Sequence, residues 1–319
     1  MMVWTKPAIN VIWGLAGVFI LLILATLIIQ LLSLTLPERN YTELKQRVKS
    51  WWAITLLFST SLILSPGIAV IFFGFVSFLA LKEYLSLIPT RRADRRVLFW
   101  AYLAIILQYY WIYSRWYGMF LVFIPVYMFL ILPMRMVILG EIQGFLKAIG
   151  TLHWGLMLTV FSISHVAYLL RLPPAGNPIA GGAGLLLYLL FLTALNDISQ
   201  YLWGKSLGRH KVLPTVSPNK TWEGLLGGII TTIVLAVILA PWLTPFNLTH
   251  AFWLGLLLGI AGFIGDVNVS ALKRDLGVKD SGNLLPGHGG ILDRIDSLTY
   301  TAPLFFHFTV YFYFRGILA

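Results

Sequence analysis

Between Trp51 and Leu81 the chain reads WWAITLLFSTSLILSPGIAVIFFGFVSFLAL, without one charged side chain. This run is too long for a single membrane crossing, because about 20 apolar residues in a helix span the hydrocarbon core of a bilayer. Ser65-Pro66-Gly67 lies at its middle, and Pro-Gly is typical of a turn. The run therefore predicts a tight hairpin of two membrane-spanning helices.

The rest of the 319-residue chain has the same character. Hydrophobic residues make up 59% and charged residues 11%, against about 25% charged residues in soluble globular domains. This composition excludes a soluble protein, and the continuous apolar runs exclude a barrel of alternating strands. We expect an all-α, polytopic transmembrane helical bundle of about ten spans. They lie near residues 8–36, 51–65, 67–87, 97–113, 117–134, 149–170, 182–202, 222–243, 250–272 and 297–314.

The distribution of lysine and arginine supports this division. If the loop 38–50 lies in the cytoplasm and the spans alternate, 19 of the 23 lysines and arginines fall on the cytoplasmic side, as the positive-inside rule requires. The net charge of +11 then reflects the membrane, and no nucleic-acid partner is expected. The absence of cysteine and of an obvious targeting segment favours the bacterial inner (plasma) membrane.

Acidic residues are distributed differently, since seven of the 12 fall between residues 197 and 296. This asymmetry predicts three regions. Residues 1–50 form an N-terminal anchor span, too long for a signal peptide, with a cytoplasmic loop. Residues 51–181 form a transmembrane scaffold, and residues 182–319 form a catalytic transmembrane domain with its site at the cytoplasmic face.

Residues 265–274 (GDVNVSALKR) end a long apolar run. At 100° per residue, one helical face carries Asp266, Ser270, Lys273 and Arg274. An acid at this depth is costly unless it faces a partner, a cavity or a metal. One interpretation is a buried ion pair that joins two helices, and the other is a functional site.

A glycine-rich segment follows at residues 279–290 (KDSGNLLPGHGG). Gly289 and Gly290 allow backbone to approach a ligand closely, and adjacent N–H groups can hold an anion. Lys279, Asp280 and His288 are candidate binding residues in the same segment. The alternative is an ordinary turn in which His288 makes a structural hydrogen bond.

Residues 293–296 (DRID) place Asp293 and Asp296 one helical turn apart, with Arg294 between them. Carboxylates there can interact with a helix dipole, or they can bind Mg²⁺, which takes one or two carboxylates together with substrate phosphates. Asp266 and Asp293 come from different helices and could converge on one such ion.

Residues 196–224 supply a second cluster with Asp197, Ser217 and Lys220. Its bases could bind phosphate or simply follow the positive-inside rule, and Ser217 or Thr221 could cap the next helix. Taken together, the carboxylates, bases and glycine-rich turn at one membrane face are typical of phosphoryl or nucleotidyl transfer.

The residues 270–296 resemble the phosphatidate cytidylyltransferase (CDP-diacylglycerol synthase) family. The resemblance rests on Ser270-x-Leu272-Lys273-Arg274, Lys279-Asp280-x-Gly282, Leu285-Pro286-x-His288-Gly289-Gly290 and Asp293-Arg294-Ile295-Asp296, and residues 217–224 (SPNKTWEG) are similar to the upstream motif of the family. The resemblance covers residues 182–300 well and the first span hardly at all.

The resemblance implies that CTP and phosphatidate, or a similar anionic lipid, give CDP-diacylglycerol and pyrophosphate. It also implies Mg²⁺ on Asp266 and Asp293, with a second cation such as K⁺, and a homodimer among membrane lipids. Catalytic roles then fall to Asp266, Lys273, Arg274, Asp293 and Asp296. Substrate binding falls to Ser217, Lys220, Ser270, Lys279, Asp280, His288, Gly289, Gly290, Arg294 and Asp197.

Two departures bear on the substrate. Val269 stands where members of the family often carry an acid, and Ile198-Ser199-Gln200 follow Asp197 where many have small residues. A transferase for another lipid phosphate or nucleotide is therefore an alternative. A transporter with intramembrane acids is another, although the acids lie at the ends of their spans, and a catalytically inert scaffold is a third.

Overall fold

A computed structural model describes residues 7–38, 40–89, 95–140, 142–282, 284 and 289–318. Over these residues the protein is a bundle of helices with one short β-ribbon, which confirms the all-α polytopic prediction. The first helices are α1 (Ile9–Thr35), α2 (Thr42–Leu64), α3 (Pro66–Leu87) and α4 (Arg95–Ser114).

The hairpin predicted at Ser65 is confirmed. Helix α2 ends at Leu64 and α3 begins at Pro66, and the Ser65 hydroxyl accepts a hydrogen bond from the Ile68 amide at 3.1 Å. Proline is suited to the first helical position because its missing N–H would have no helical partner there. Helix α2 begins at Thr42 rather than near residue 51, since backbone hydrogen bonding continues through the polar segment that precedes the apolar run.

Among the described residues, three long helices contain a π-helical segment. The π-helical turn at Phe123–Met128 includes Pro125, whose missing N–H disturbs the regular ladder, and Pro133 lies within the helix that follows. The segments, in order, are α5 (Tyr117–Val122), the first π-helix and α6 (Phe129–Ile138), then α7 (Phe145–Leu156), a second π-helix (Met157–Phe161) and α8 (Ser162–Leu169).

The second half of the chain carries the candidate site residues. In order, it contains α9 (Gly181–Leu207), β1 (Lys211–Leu213), β2 (Ser217–Thr221), α10 (Trp222–Leu243), α11 (Leu248–Asp275), α12 (Leu292–Ile295), α13 (Leu298–Thr309), a π-helix (Val310–Phe314) and α14 (Arg315–Leu318).

A helix occupies each of the ten predicted spans, and eight of the described helices are long and apolar enough to cross a membrane. The two outside those eight are α2, which begins with a polar segment, and the helical segment that starts at Leu298. These lengths and compositions make the chain an integral membrane protein.

Residues 203–221, predicted as a loop, contain a short β-ribbon. Strands β1 and β2 are antiparallel, and Lys211 pairs with Thr221. Thr221 then caps α10, because its hydroxyl accepts a hydrogen bond from the Gly224 amide at 3.2 Å. The capping interpretation is thus confirmed for Thr221, and the cap fixes the position of Lys220 beside the start of α10.

Gly265 brings α11 close to the segment that joins α12 to α13. A Cβ atom at Gly265 would lie 2.5 Å from the Asp296 carbonyl oxygen and 3.0 Å from Ser297 Cα. Both neighbours are backbone atoms, so they can retreat only if a helix moves. The missing side chain therefore sets the distance between Asp266, which follows Gly265, and the end of α12.

We expect Gly265→Ala to lower the stability of the purified protein by about 1–3 kcal/mol, the usual cost of overpacking. Gly150→Ala is the matched control, because nothing lies within 4 Å of a Cβ at that helical position. Thermal unfolding in detergent would compare the two. Equal midpoints for both variants would contradict a close approach at Gly265.

Candidate active site

Two ion pairs connect α11 to other elements at one end of the bundle. Lys220 at the end of β2 lies 2.5 Å from Asp266, between its Nζ and Oδ2 atoms, and Lys273 Nζ lies 2.6 Å from Asp293 Oδ1. The second pair is the more buried, with side-chain exposures of 12% and 5%. Asp266 and Lys273 lie on one face of α11, as their spacing predicts.

Asp293 receives hydrogen bonds from several donors besides Lys273. The Ser281 amide and hydroxyl each lie 2.9 Å from Asp293 Oδ2, and the Gly290 amide lies 3.2 Å from it. Burial alone would raise the pKa of Asp293, but Lys273 and the two amides outweigh it and hold that pKa below its usual value. Asp293 is therefore an ionised, fixed carboxylate.

A second group of carboxylates lies around Asp296. Burial, with the negative charges of Asp266 and Asp197 nearby, raises the pKa of Asp296 well above its usual value. The Ser297 hydroxyl donates to Asp197 Oδ1 at 2.9 Å. Asp197 on α9, Asp266 on α11 and Asp296 before α13 thus place carboxyl groups from three elements in one region.

The structure partners Asp266 with Lys220 and Asp293 with Lys273. The sequence left two interpretations of Asp266, a buried ion pair or a functional site. The structure shows the ion pair, which joins β2 to α11. Among the described residues, no three or more His, Asp or Glu side chains form a group able to hold a metal ion. A shared Mg²⁺ on Asp266 and Asp293 stays a prediction.

The donor set nevertheless fits a magnesium ion that is completed by substrate. Carboxylate oxygens are the hard ligands that Mg²⁺ takes one or two at a time, alongside phosphates. Burial is the main cause of the raised pKa of Asp296, and repulsion from the Asp266 and Asp197 carboxylates adds to it. A divalent cation would relieve that repulsion.

Two more of the predicted residues, Ser270 and Arg274, make hydrogen bonds from α11. The Ser270 hydroxyl donates to Asp266 Oδ1 at 3.3 Å, and Arg274 Nε donates to the Val216 carbonyl at 3.3 Å. Ser217 is half-buried on β2. Exposed side chains belong to Lys279, Asp280 and Arg294. His288 lies outside the described residues.

Gly289 and Gly290 each favour glycine for a different structural reason. Gly289 has φ of +79°, a left-handed conformation that favours glycine. Gly290 is instead required by a close approach, since a Cβ there would meet the Glu83 carboxylate and the Ser281 hydroxyl. The close approach observed here is to a side chain of this protein, and the predicted approach to a ligand stays a prediction.

Sequence reasoning missed two polar residues in this region. Glu83 at the end of α3 accepts hydrogen bonds from the Ile291 and Leu292 amides, both at 2.9 Å. Gln200 on α9 accepts from Lys220 Nζ at 3.3 Å. The one available signal for Glu83 was its position at the end of the charge-free run, which predicted only a cytoplasmic loop.

A region with fixed carboxylates, lysines and backbone amides can bind phosphates and orient them for attack. Ammonium groups neutralise phosphate oxygens, and carboxylates hold a cation that bridges them. This chemistry needs accurate placement rather than a covalent nucleophile, and the ion pairs on α11 supply such placement.

Comparison with known proteins identifies several relatives and a family. The chain is 52% identical over 298 residues to "Uncharacterized protein YnbB" of Escherichia coli K12, covering 93% of this chain and 98% of that protein. Phosphatidate cytidylyltransferases of Staphylococcus haemolyticus and Haemophilus influenzae are each 44% identical, over 39% and 40% of this chain. These matches span 48% and 46% of the two enzymes, about half their length.

A model of the cytidylyltransferase family matches residues 45–312. The match includes α3, which carries Glu83, as well as both ion pairs of α11. Because it spans most of the chain, the protein belongs to the cytidylyltransferase family and is a membrane nucleotidyltransferase.

Proposed function

We propose that the protein transfers the cytidylyl group of CTP to phosphatidate, giving CDP-diacylglycerol and pyrophosphate. The observation that carries this proposal is the pair of ion pairs on α11, Lys220–Asp266 and Lys273–Asp293. Family membership supports cytidylyl transfer. The two phosphatidate cytidylyltransferases, which match over about half their length, support phosphatidate as the acceptor.

In this reaction an oxygen of the lipid phosphate attacks the α-phosphorus of CTP. A new P–O bond forms, the bond from the α-phosphorus to the bridging oxygen breaks, and pyrophosphate leaves with that oxygen. The acceptor phosphate is already ionised near neutral pH, so no strong general base is required. The protein must instead bring two polyanions together, which is costly without bound positive charge.

Lys220 and Lys273 are well placed to supply part of that charge. Each ammonium has three donors, so each can bind a phosphate oxygen while it stays near its carboxylate. Arg274, Lys279 and Arg294 extend the positive surface toward the triphosphate and the lipid headgroup. The hydroxyls of Ser217 and Ser270 would orient phosphate oxygens.

Asp266 and Asp293 would hold Mg²⁺, with Asp296 and Asp197 close enough to favour cation binding through their charge. A cation held by these residues would supply positive charge against the phosphates. A second cation such as K⁺ belongs to the same proposal. We also propose that the protein is a homodimer in the bacterial inner membrane, with the site at the cytoplasmic face.

We expect purified protein with CTP, phosphatidate and Mg²⁺ to release CDP-lipid and pyrophosphate in equal amounts. A panel of other nucleotides and lipid phosphates, assayed by product mass, would identify a different acceptor. No product from any combination, beside an active phosphatidate cytidylyltransferase as the positive control, would contradict the proposal.

We expect Asp293→Asn to lower turnover about a thousandfold or more, because the neutral amide neither holds the cation nor balances Lys273. Asp275→Asn is the matched control, an exposed aspartate at the end of α11. Initial rates of pyrophosphate release would be compared at equal protein. Thermal unfolding must show that Asp293→Asn is folded, and full activity in that folded variant would remove Asp293 from the site.

Single-cysteine labelling tests the membrane orientation without background, because the chain has no cysteine. We expect Thr249→Cys to react with a membrane-impermeant maleimide in intact spheroplasts, and Arg209→Cys to react only after permeabilisation. Both positions are exposed. The reverse pattern would place the site on the opposite face.

A further inference from the structure

Glu83 joins the N-terminal half of the bundle to the segment that carries Asp293. Its carboxylate accepts hydrogen bonds from the Ile291 and Leu292 amides, both at 2.9 Å, and from the Ser281 hydroxyl. The amides lie 208 and 209 residues further along the chain. This carboxylate is therefore the connection between α3 and the start of α12.

The two amides that Glu83 binds belong to Ile291, which precedes α12, and to Leu292, its first residue. The first N–H groups of a helix have no partner within the helix, and a nearby side chain usually accepts from one of them. The residue that precedes α12 makes no such side-chain bond. Glu83 supplies this missing cap from a distant helix, and its negative charge also suits a helix N-terminus.

Three small residues form the space that holds the Glu83 carboxylate. A Cβ at Gly290 would lie 2.0 Å from Glu83 Oε1, and one at Gly282 would lie 2.9 Å from Oε2. Ser281 precedes Gly282, and its backbone amide donates to Asp293. A larger residue at either glycine would displace the carboxylate, so Gly282 and Gly290 leave the room that Glu83 occupies.

Both oxygens of Glu83 are already occupied by backbone amides. The carboxylate is thus engaged in holding the segment, whereas Asp293 presents an oxygen to Lys273. The Ser281 hydroxyl has a single proton and lies between the two carboxylates. A change at Glu83 therefore reaches Asp293 through Ser281 and through the turn that begins at Leu292.

We propose that Glu83 is a positioning residue, which fixes the turn Leu292–Ile295 so that Asp293 is presented to the cation and the triphosphate. The role of that turn in turnover rests on the proposed function, but the anchoring of the turn itself does not. The role in turnover is measured by the Mg²⁺ requirement of the reaction. The anchoring of the turn is measured by amide exchange in the absence of substrate.

The test compares Glu83→Gln with Glu43→Gln. The isosteric amide at position 83 has only one acceptor oxygen, and its NH₂ group is placed against a backbone N–H group. Glu43 is an exposed glutamate of α2 that pairs with Arg47, so its change controls for lost charge. Hydrogen–deuterium exchange of the full-length protein in detergent would follow the amides of Ile291 and Leu292.

We expect Glu83→Gln to raise exchange at these two amides about tenfold or more, as loss of hydrogen bonds to a charged acceptor implies. It should also raise the Mg²⁺ concentration for half-maximal rate by about tenfold, with Glu43→Gln unchanged in both measurements. Unchanged exchange at Ile291 and Leu292 in Glu83→Gln would overturn the proposal, whether or not the wild-type protein turns over CTP.

A second comparison tests the same contact without Glu83→Gln, in case that variant unfolds. Gly290→Ala places a methyl group against the Glu83 carboxylate and should raise exchange at the same amides. Glu83→Ala removes that obstacle, so the double variant should exchange no faster than Glu83→Ala alone. Additive effects of the two substitutions would show that Gly290 and Glu83 act independently and would contradict the contact.

Discussion

The buried pair of Lys273 and Asp293 is the interaction on which the rest of the site depends. Removing one partner of a buried ion pair leaves an uncompensated charge and costs about 3–5 kcal/mol. The pair is stable only because Ser281 and Gly290 complete the hydrogen bonding of Asp293. Ser281 and Gly290 must therefore lie beside Asp293 for either charge to be tolerated.

This constraint explains why small residues surround the charges. Gly265 lets the Asp296 and Ser297 backbone approach α11, and Gly290 lets the backbone approach Glu83. Close backbone contacts of this kind set distances more accurately than long side chains do, because a side chain can rotate and a packed backbone cannot. The ion pairs thus lie on elements whose separation is already fixed, which is the requirement for a reaction that depends on orientation.

The sequence predicted the features that are local. The Ser65 hairpin and the Thr221 cap depend on neighbours within a few residues, and the shared face of Asp266 and Lys273 follows from helical period alone. The ribbon at Lys211–Thr221 was missed because strands of three and five residues give too short a pattern. The partners of Asp266 and Asp293 were missed for another reason, since ion pairs between distant segments require the fold.

The contacts of Glu83 also join distant segments, so the sequence could not predict them. They change how the first half of the bundle is understood. By sequence, residues 51–181 are a scaffold and residues 182–319 carry the chemistry. The Glu83 carboxylate crosses that division and accepts hydrogen bonds from the Ile291 and Leu292 amides beside Asp293, and the neighbouring Tyr84 hydroxyl donates to the Thr151 carbonyl within the first half. Helix α3 is thus held by its own half of the bundle while Glu83 holds the segment that carries Asp293. A displacement of α3 would be transmitted to that segment through the hydrogen bonds between the Glu83 carboxylate and these amides, so the geometry around Asp293 depends on packing in both halves.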